Sequence, residues 1–343
     1  VSYNAEQLLE YLKKYPLLLA PMAGVTDYPF RSFMREMNGG VLTTELVSAV
    51  ALAREPDHRT RKIALINPEQ QPIGIQIFGE DPDILAQAAL KVEEMGASFV
   101  DLNLGCPVHK IVKKGAGSAI LKDLVQLSKI LKTVKSKIKI PLTIKVRTGW
   151  DHHRNALEVS QIAYNEGCLW MTIHGRTRSQ AYSGKADWDY IAEVKSQASL
   201  PIIGNGDLVN PQYICYIYKR TQCDALMIGR GALKNPWIFN DTYKLLGKTF
   251  PNYQCPQNAK EVLEILLGYL SDFHNEKMAL LQFKKFAVWF SSGYPKSALF
   301  RKSIFQIKEK PLVLEYAFNY FEQLNKAKKE TIPYESFLMQ GHG

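Results

Sequence analysis

Short apolar, β-branched runs alternate with longer stretches whose apolar residues recur every three or four positions, and this alternation organises most of the chain. The strand-like runs lie at residues 17–21, 41–44, 73–78, 99–103, 142–146, 171–174, 202–204 and 225–228. Stretches 83–95, 121–137, 157–165, 188–197 and 211–219 between them carry helical periodicity. Eight strand–helix units between residue 17 and about residue 240 predict an α/β fold, a (β/α)8 TIM barrel. An open, doubly wound sheet is the alternative that the same alternation allows.

The pattern changes after Trp237. Gly247, Pro251 and Pro256 mark a connection, after which Asn258 can cap a helix with Glu261 three positions on. Val262, Ile265, Leu266, Tyr269, Leu270 and Phe273 form the apolar stripe of that helix. Further helical periodicity runs to about residue 328, broken near Gly293, Pro295 and Pro311. The expected division is a barrel over residues 1–240, a C-terminal all-helical domain over 241–330 and a frayed tail over 331–343.

Composition narrows the class. In 343 residues, 46% hydrophobic and 22% charged content are those of a soluble globular protein. A formal charge of +10 favours an anionic partner, with lysine-decorated helix faces as the plainer explanation. The five cysteines are scattered, with no metal-ligand spacing, so no metal is expected and a reducing, cytoplasmic setting is. No apolar run reaches the ~18–20 residues of a membrane span, and residues 1–14 are too polar for a secretory signal.

Strand alternation then selects among the polar residues. Asp101 and Asn103 share one face of the fourth predicted strand; Thr143, Lys145 and Arg147 share one of the fifth; Thr172 and His174 share one of the sixth. In a barrel the later member of each set stands at the carboxyl rim, where barrel enzymes carry out chemistry. Cys106 follows Asn103 around Gly105 and just ahead of Pro107, on the loop leaving the strand. A lone strand-end lysine is commonly a surface residue. Asn103, Cys106, Lys145 and His174 on one rim point instead to a site.

Two glycine turns, Gly204-Asn205-Gly206-Asp207 and Gly229-Arg230-Gly231, follow the seventh and eighth strands. Loops in these places commonly bind phosphate through backbone N–H groups, and Arg230 adds a charged fork, although tight turns alone would also call for glycine. After the first strand, Ala20-Pro21-Met22-Ala23-Gly24 lets backbone lie flat against a planar ligand, and Gln76 offers a donor and an acceptor to a ring edge. Together they outline a slot for a nucleotide-like flavin. The loop from His174 through Arg176 to Arg178, with Tyr182 and Trp188 beyond it, suits RNA phosphates and unstacked bases, or else is a solvated basic loop.

In combination these stretches resemble the tRNA-dihydrouridine synthases, most closely the bacterial B-type branch. The matching segments are 19–27 (Leu-Ala-Pro-Met-Ala-Gly-Val-Thr-Asp), 29–31 (Pro-Phe-Arg), 101–107 (Asp-Leu-Asn-Leu-Gly-Cys-Pro), 113–118 (Lys-Lys-Gly-Ala-Gly-Ser), 145–150 (Lys-Val-Arg-Thr-Gly-Trp), 174–178, 204–207 and 227–230. The likeness runs from about residue 17 to 240 and is looser over the helical part. It implies a barrel holding FMN at its carboxyl rim, NADPH (or NADH) as reductant, and a helical bundle that helps grip tRNA while a D-loop uridine is reduced. By the same resemblance Pro21, Met22 and Ala23 lie along the isoalloxazine, and Gln76 and Lys145 hold its polar edge. His174, Asn205, Gly206, Asp207, Gly229 and Arg230 line the rest of the cofactor, Asn103 positions the base, and Cys106 donates the proton. Arg147, Arg176 and Arg178 are expected to hold phosphates or the base edge. Lys284, Lys285, Arg301 and Lys302 either track the RNA backbone or form a solvated helix face. A monomer is expected.

The residue types suit that chemistry. Saturating the uracil 5,6 double bond takes a hydride at C6 and a proton at C5 from the opposite face. A thiol with a pKa near ~8.5 is protonated at neutral pH and can donate. Lys145 beside the reduced ring would stabilise its negative charge, and the same charge would lower a thiol's pKa, so Lys145 is expected nearer the flavin than the sulfur. Three other functions stay open: an FMN barrel acting on a small pyrimidine, an RNA-binding barrel without turnover, and an aldolase using Lys145 as a Schiff base.

Overall fold

The computed structural model describes residues 3–250, 255–256 and 258–324. The strands in chain order are β1 (Leu17–Leu19), β2 (Leu42–Thr43), β3 (Val47–Ser48), β4 (Ile73–Phe78) and β5 (Phe99–Leu104). They continue with β6 (Leu142–Arg147), β7 (Met171–His174), β8 (Ile202–Asn205) and β9 (Ala225–Ile228). All pair in parallel, in the order β1-β9-β8-β7-β6-β5-β4-β2, with β3 also beside β4. β2 and β3 pair with successive parts of β4 and make one interrupted stave, which brings the staves to eight.

The ring closes between the first and second staves. Leu18 bridges Val41, Leu19 N donates to Val41 O at 2.9 Å, and Val41 N donates to Leu17 O at 3.2 Å. The closed barrel replaces the open-sheet alternative. The central strands are buried along both faces, and their polar residues, such as Gln76, Asp101, Asn103, Thr143 and Lys145, recur at alternate positions. β3 escaped sequence reading because two residues carry no period.

The amino-terminal mouth of the barrel is plugged. Helix α1 (Ala5–Lys14) starts at a reciprocal capping box between Asn4 and Gln7, and it buries Leu8 and Leu12 against Leu18, Phe99, Trp170, Ile203 and Met227. The carboxyl rim is therefore the end left open to ligands.

Beyond the barrel, α3 (Ala259–Phe273), α4 (Glu276–Phe290), α5 (Ser297–Ile304) and α6 (Lys310–Leu324) follow a connection. Asn258 caps α3 as expected, its Oδ1 accepting from Glu261 N at 3.0 Å. These helices pack on α2 (Tyr28–Glu36), which leaves the first barrel loop: Phe30 stacks on Phe286 with ring centroids 4.8 Å apart, and Tyr28 stacks on Phe273 at 5.2 Å. Residue 241 lies inside the helix Ile238–Leu245, which packs on the barrel helix Pro211–Thr221. The expected tail at 331–343 and Pro251 lie outside the described residues.

Lys284 does not track RNA. It is 8% exposed and donates to the carbonyl of Ile307, tying α4 to the segment after α5. Arg301 and Lys302 are exposed. Among the described residues no helix is long and apolar enough to cross a membrane.

Candidate active site

Strand register stacks the polar faces around the carboxyl rim. Asn103 lies opposite Lys145, Arg147 opposite His174, and His174 opposite Asn205. Together with the loops they enter, these residues line a cavity of about 440 Å³, within the ~300–1,000 Å³ of small-molecule sites. Of the residues singled out from sequence, Pro21, Met22, Ala23, Asn103, Cys106, Lys145, Arg147, His174, Asn205, Gly206, Asp207, Gly229 and Arg230 line it.

Local bonding explains the shape of the walls. The first loop is held as a ledge: Met22 N donates to Thr26 Oγ1 at 2.9 Å, and Gly24 N donates to the Glu45 carboxylate. Asp27 ends the loop by capping α2 through Phe30 N at 3.1 Å. Across the cavity Gly206 has φ +134°, and a Cβ there would fall 2.5 Å from that of Ala186, so only glycine fits. Gly229 is different: a Cβ there would clear its neighbours, 3.5 Å from Ala20 Cβ and 3.6 Å from Met22 Sδ, and would instead narrow the cavity.

The loop bearing Cys106 is pinned on three sides. Asn103 Oδ1 accepts from Cys106 N at 2.9 Å, Ser118 Oγ donates to Cys106 O at 2.8 Å, and Arg147 Nε donates to Gly105 O at 2.8 Å. Burial pushes the thiol above its ordinary pKa, against a smaller lowering by Arg147 and the Val108 backbone, so Cys106 is a protonated thiol at neutral pH. Arg147 also donates to Thr177 O at 2.9 Å and Ala181 O at 2.7 Å, drawing the loop after β7 over the rim, where Tyr182 lies 5.6 Å from its guanidinium.

Lys145 Nζ donates to Asn205 Oδ1 at 3.0 Å, and Asn205 Nδ2 donates to Met227 O at 2.7 Å. Burial and the neighbouring Arg147 push the Lys145 amine down to about 8, with Asp101 pulling the other way. His174 is held well below its ordinary pKa by burial and by Arg147, Lys145, Arg176 and Arg230, which makes it a neutral imidazole.

Three expectations need correcting, those for Gln76, Arg176 and Trp188, and Arg178 lies outside the cavity. Gln76 is fully buried and not among the lining residues: its amide donates to Asp101 at 2.6 Å and accepts from Asn103 at 2.7 Å, so it lies behind the wall instead of against a ring edge. Arg176, 1% exposed, also lies outside the lining and spends its guanidinium on both Asp207 oxygens and on the carbonyls of Ser183 and Gly184, leaving nothing for substrate. Arg178 stacks 4.5 Å over Trp150, away from the cavity. Trp188 is core, packed on Gly204 where a Cβ would fall 2.4 Å from its ring. Asp207 reaches the lining as expected, with its carboxylate committed to Arg176 and Arg230.

Sequence reading missed Leu46, Leu208 and Val209 in the lining, and Glu45 beneath the ledge. Leu46 and Glu45 sit in the interruption between β2 and β3, where no periodicity marks them. Among the described residues Asp207 is the one carboxylate in the lining, against Lys145, Arg147 and Arg230. A flat ledge facing glycine turns, with this excess of positive charge, fits a planar ligand carrying an anionic group. The depressed Lys145 amine has no carboxylate in contact, and an anionic partner would relieve it.

Comparison with known proteins identifies the family. Residues 18–326 match the family model described as Dihydrouridine synthase (Dus). The tRNA-dihydrouridine synthase B of Pseudomonas syringae pv. tomato is 38% identical over 302 residues, 87% of this chain and 89% of that protein. The protein of the same name from Vibrio cholerae is 36% identical over 321 residues, covering 92% and 98%. A probable tRNA-dihydrouridine synthase of Rickettsia prowazekii is 34% identical over 316 residues, covering 91% and 96%. Among solved structures, histamine dehydrogenase from Rhizobium sp. 4-9 has a TM-score of 0.51 at 11% identity, over 68% of this chain and 46% of that one, a likeness of fold alone. The chain belongs to the dihydrouridine synthase family.

Proposed function

We propose that this protein reduces a D-loop uridine of tRNA to 5,6-dihydrouridine, with FMN as the bound flavin and NADPH (or NADH) as reductant. The observation that carries this reading is the placement of a protonated thiol, Cys106, in the same cavity as Lys145 and the two glycine turns, in a chain of this family.

The backbone of Gly206 and Gly229, with the Arg230 side chain, would hold the flavin phosphate, and the ledge from Pro21 to Ala23 would support its ring. Lys145 would face the ring's polar edge. Bound there, the flavin supplies the hydride for C6 of the uracil. The target uridine must leave its stack to enter the cavity. Asn103 retains one N–H beyond its bonds to Gln76, Gly105 N and Cys106 N, and this donor can orient the base. Cys106 Sγ delivers the proton to C5, and Arg147 stabilises the thiolate that remains until water reprotonates it. His174, being neutral, can add a hydrogen-bond donor without adding charge.

A tRNA substrate supports a cytoplasmic setting. Purified protein given FMN, NADPH and an unmodified tRNA transcript should form dihydrouridine within the D-loop. Turnover of free pyrimidines with none on tRNA would favour a small-molecule flavoenzyme instead.

A further inference from the structure

Asp101 stands two residues below Asn103 on the same face of β5, and nothing in the proposed chemistry uses it. It is 3% exposed. One carboxylate oxygen accepts from Thr143 Oγ1 at 2.6 Å and the other from Gln76 Nε2 at 2.6 Å. Gln76 Oε1 accepts from Asn103 Nδ2 at 2.7 Å, and Asn103 Oδ1 accepts from Cys106 N at 2.9 Å and Gly105 N at 3.3 Å. An unbroken line of hydrogen bonds thus joins the barrel interior to the backbone of the thiol loop.

The two ends of this line set its sense independently. Burial raises the Asp101 pKa, opposed by the Thr143 and Gln76 bonds and by Lys145. Both of its oxygens receive donors, so it serves as an acceptor, and Gln76 must turn its NH2 group to Asp101 and its oxygen to Asn103. A backbone N–H only donates, so Asn103 must turn its oxygen to the Cys106 loop and its NH2 group to Gln76. The two demands meet between Asn103 and Gln76 as donor against acceptor, and the geometry there is a good hydrogen bond. With an amide at position 101 the first demand disappears. Gln76 could then reverse, and the reversed line would set one NH2 group against another or leave the Cys106 N–H unmet.

We propose that Asp101 is a positioning residue for the catalytic thiol: its accepting carboxylate, acting through Gln76 and Asn103, holds the Cys106 loop in the orientation that delivers the proton. This rests on Cys106 as the acid. The test uses the FMN-loaded protein and two exchanges, Asp101→Asn and the charge-conserving pair Asp101→Asn with Gln76→Glu. The pair moves the accepting group one step along the line and restores the sense in which Asn103 is held.

Asp101→Asn should lower the single-turnover rate of tRNA reduction roughly 10- to 100-fold, the scale of a misplaced reacting group, with tRNA affinity and flavin reduction by NADPH within about twofold. The paired exchange should recover most of that rate. Thr143→Val, which removes the other bond to Asp101 and leaves the line intact, should stay within about threefold of the original, since a single neutral hydrogen bond is worth ~1 kcal/mol. A full rate in Asp101→Asn, failure of the paired exchange to recover any of the loss, or an equal loss in Thr143→Val would each overturn the proposal. Cys106→Ala measured alongside separates the two levels: full turnover there would remove the acid itself, whatever Asp101 does.

Discussion

Arg176 and Asp207 form a bidentate pair, Nη1 to Oδ1 and Nη2 to Oδ2, both at 2.8 Å, with side chains 1% and 9% exposed. The pair joins the loop after β7 to the glycine turn after β8, and Ala186 N adds a third bond to Asp207 at 2.7 Å. Removing Arg176 takes the bidentate partner from a buried carboxylate, which keeps Ala186 N and the longer contact to Arg230 at 3.5 Å. Arg176→Ala should therefore cost roughly 3–5 kcal/mol, read by denaturant unfolding, and should release flavin from the folded fraction. Unchanged stability would refute the structural role assigned to Arg176.

Cys106→Ala should keep flavin content, tRNA affinity and NADPH-driven flavin reduction, and lose roughly 10²–10⁴-fold in uridine reduction, the usual worth of a positioned acid. Because burial raises the thiol, the donating form should persist beyond the pH at which an exposed cysteine ionises, with activity lost only as pH rises through that raised value. Rapid turnover by the alanine variant would remove Cys106 as the acid.

Lys145, pushed down to about 8 in the apoprotein, carries its charge below that pH and loses it above. A bound anionic ring would favour the charged form, so binding takes up a proton once the pH exceeds that value. FMN affinity should be flat below about pH 8 and weaken above it, by at most about tenfold per unit, in a fluorescence-quenching titration. Lys145→Met should abolish that dependence. An affinity that is constant through this range in the original protein would contradict the placement of Lys145 against the flavin.

Arg230 lines the cavity beside the second glycine turn, 5.2 Å from the Tyr182 ring and 3.5 Å from Asp207. Arg230→Ala should weaken FMN retention, measured as flavin lost on dialysis, more than it weakens tRNA binding. The reverse order would place the phosphate elsewhere.

Much of this was legible before any coordinates. Strand periodicity found all eight staves, and period-two alternation put Asn103, Lys145, Arg147 and His174 on the inner face where they meet. Alternation gives a face and no depth, which is why Gln76 read as a ring contact although it lies behind Asn103. Arg176 read as a phosphate ligand because its true partner, Asp207, is 31 residues on. Trp188 and Lys284 failed for the same reason: their neighbours, Gly204 and Ile307, are set by tertiary packing, which overrides local composition. The plug formed by α1 had a readable signal, the Asn4–Gln7 capping box ahead of Leu8 and Leu12.

The most direct test is to map dihydrouridine across the tRNA of cells with and without this protein. A D-loop dihydrouridine should revert to uridine when the protein is absent, and should return with the original gene but not with Cys106→Ala. An identical map in both cells would contradict the assignment of this cavity to tRNA uridine reduction.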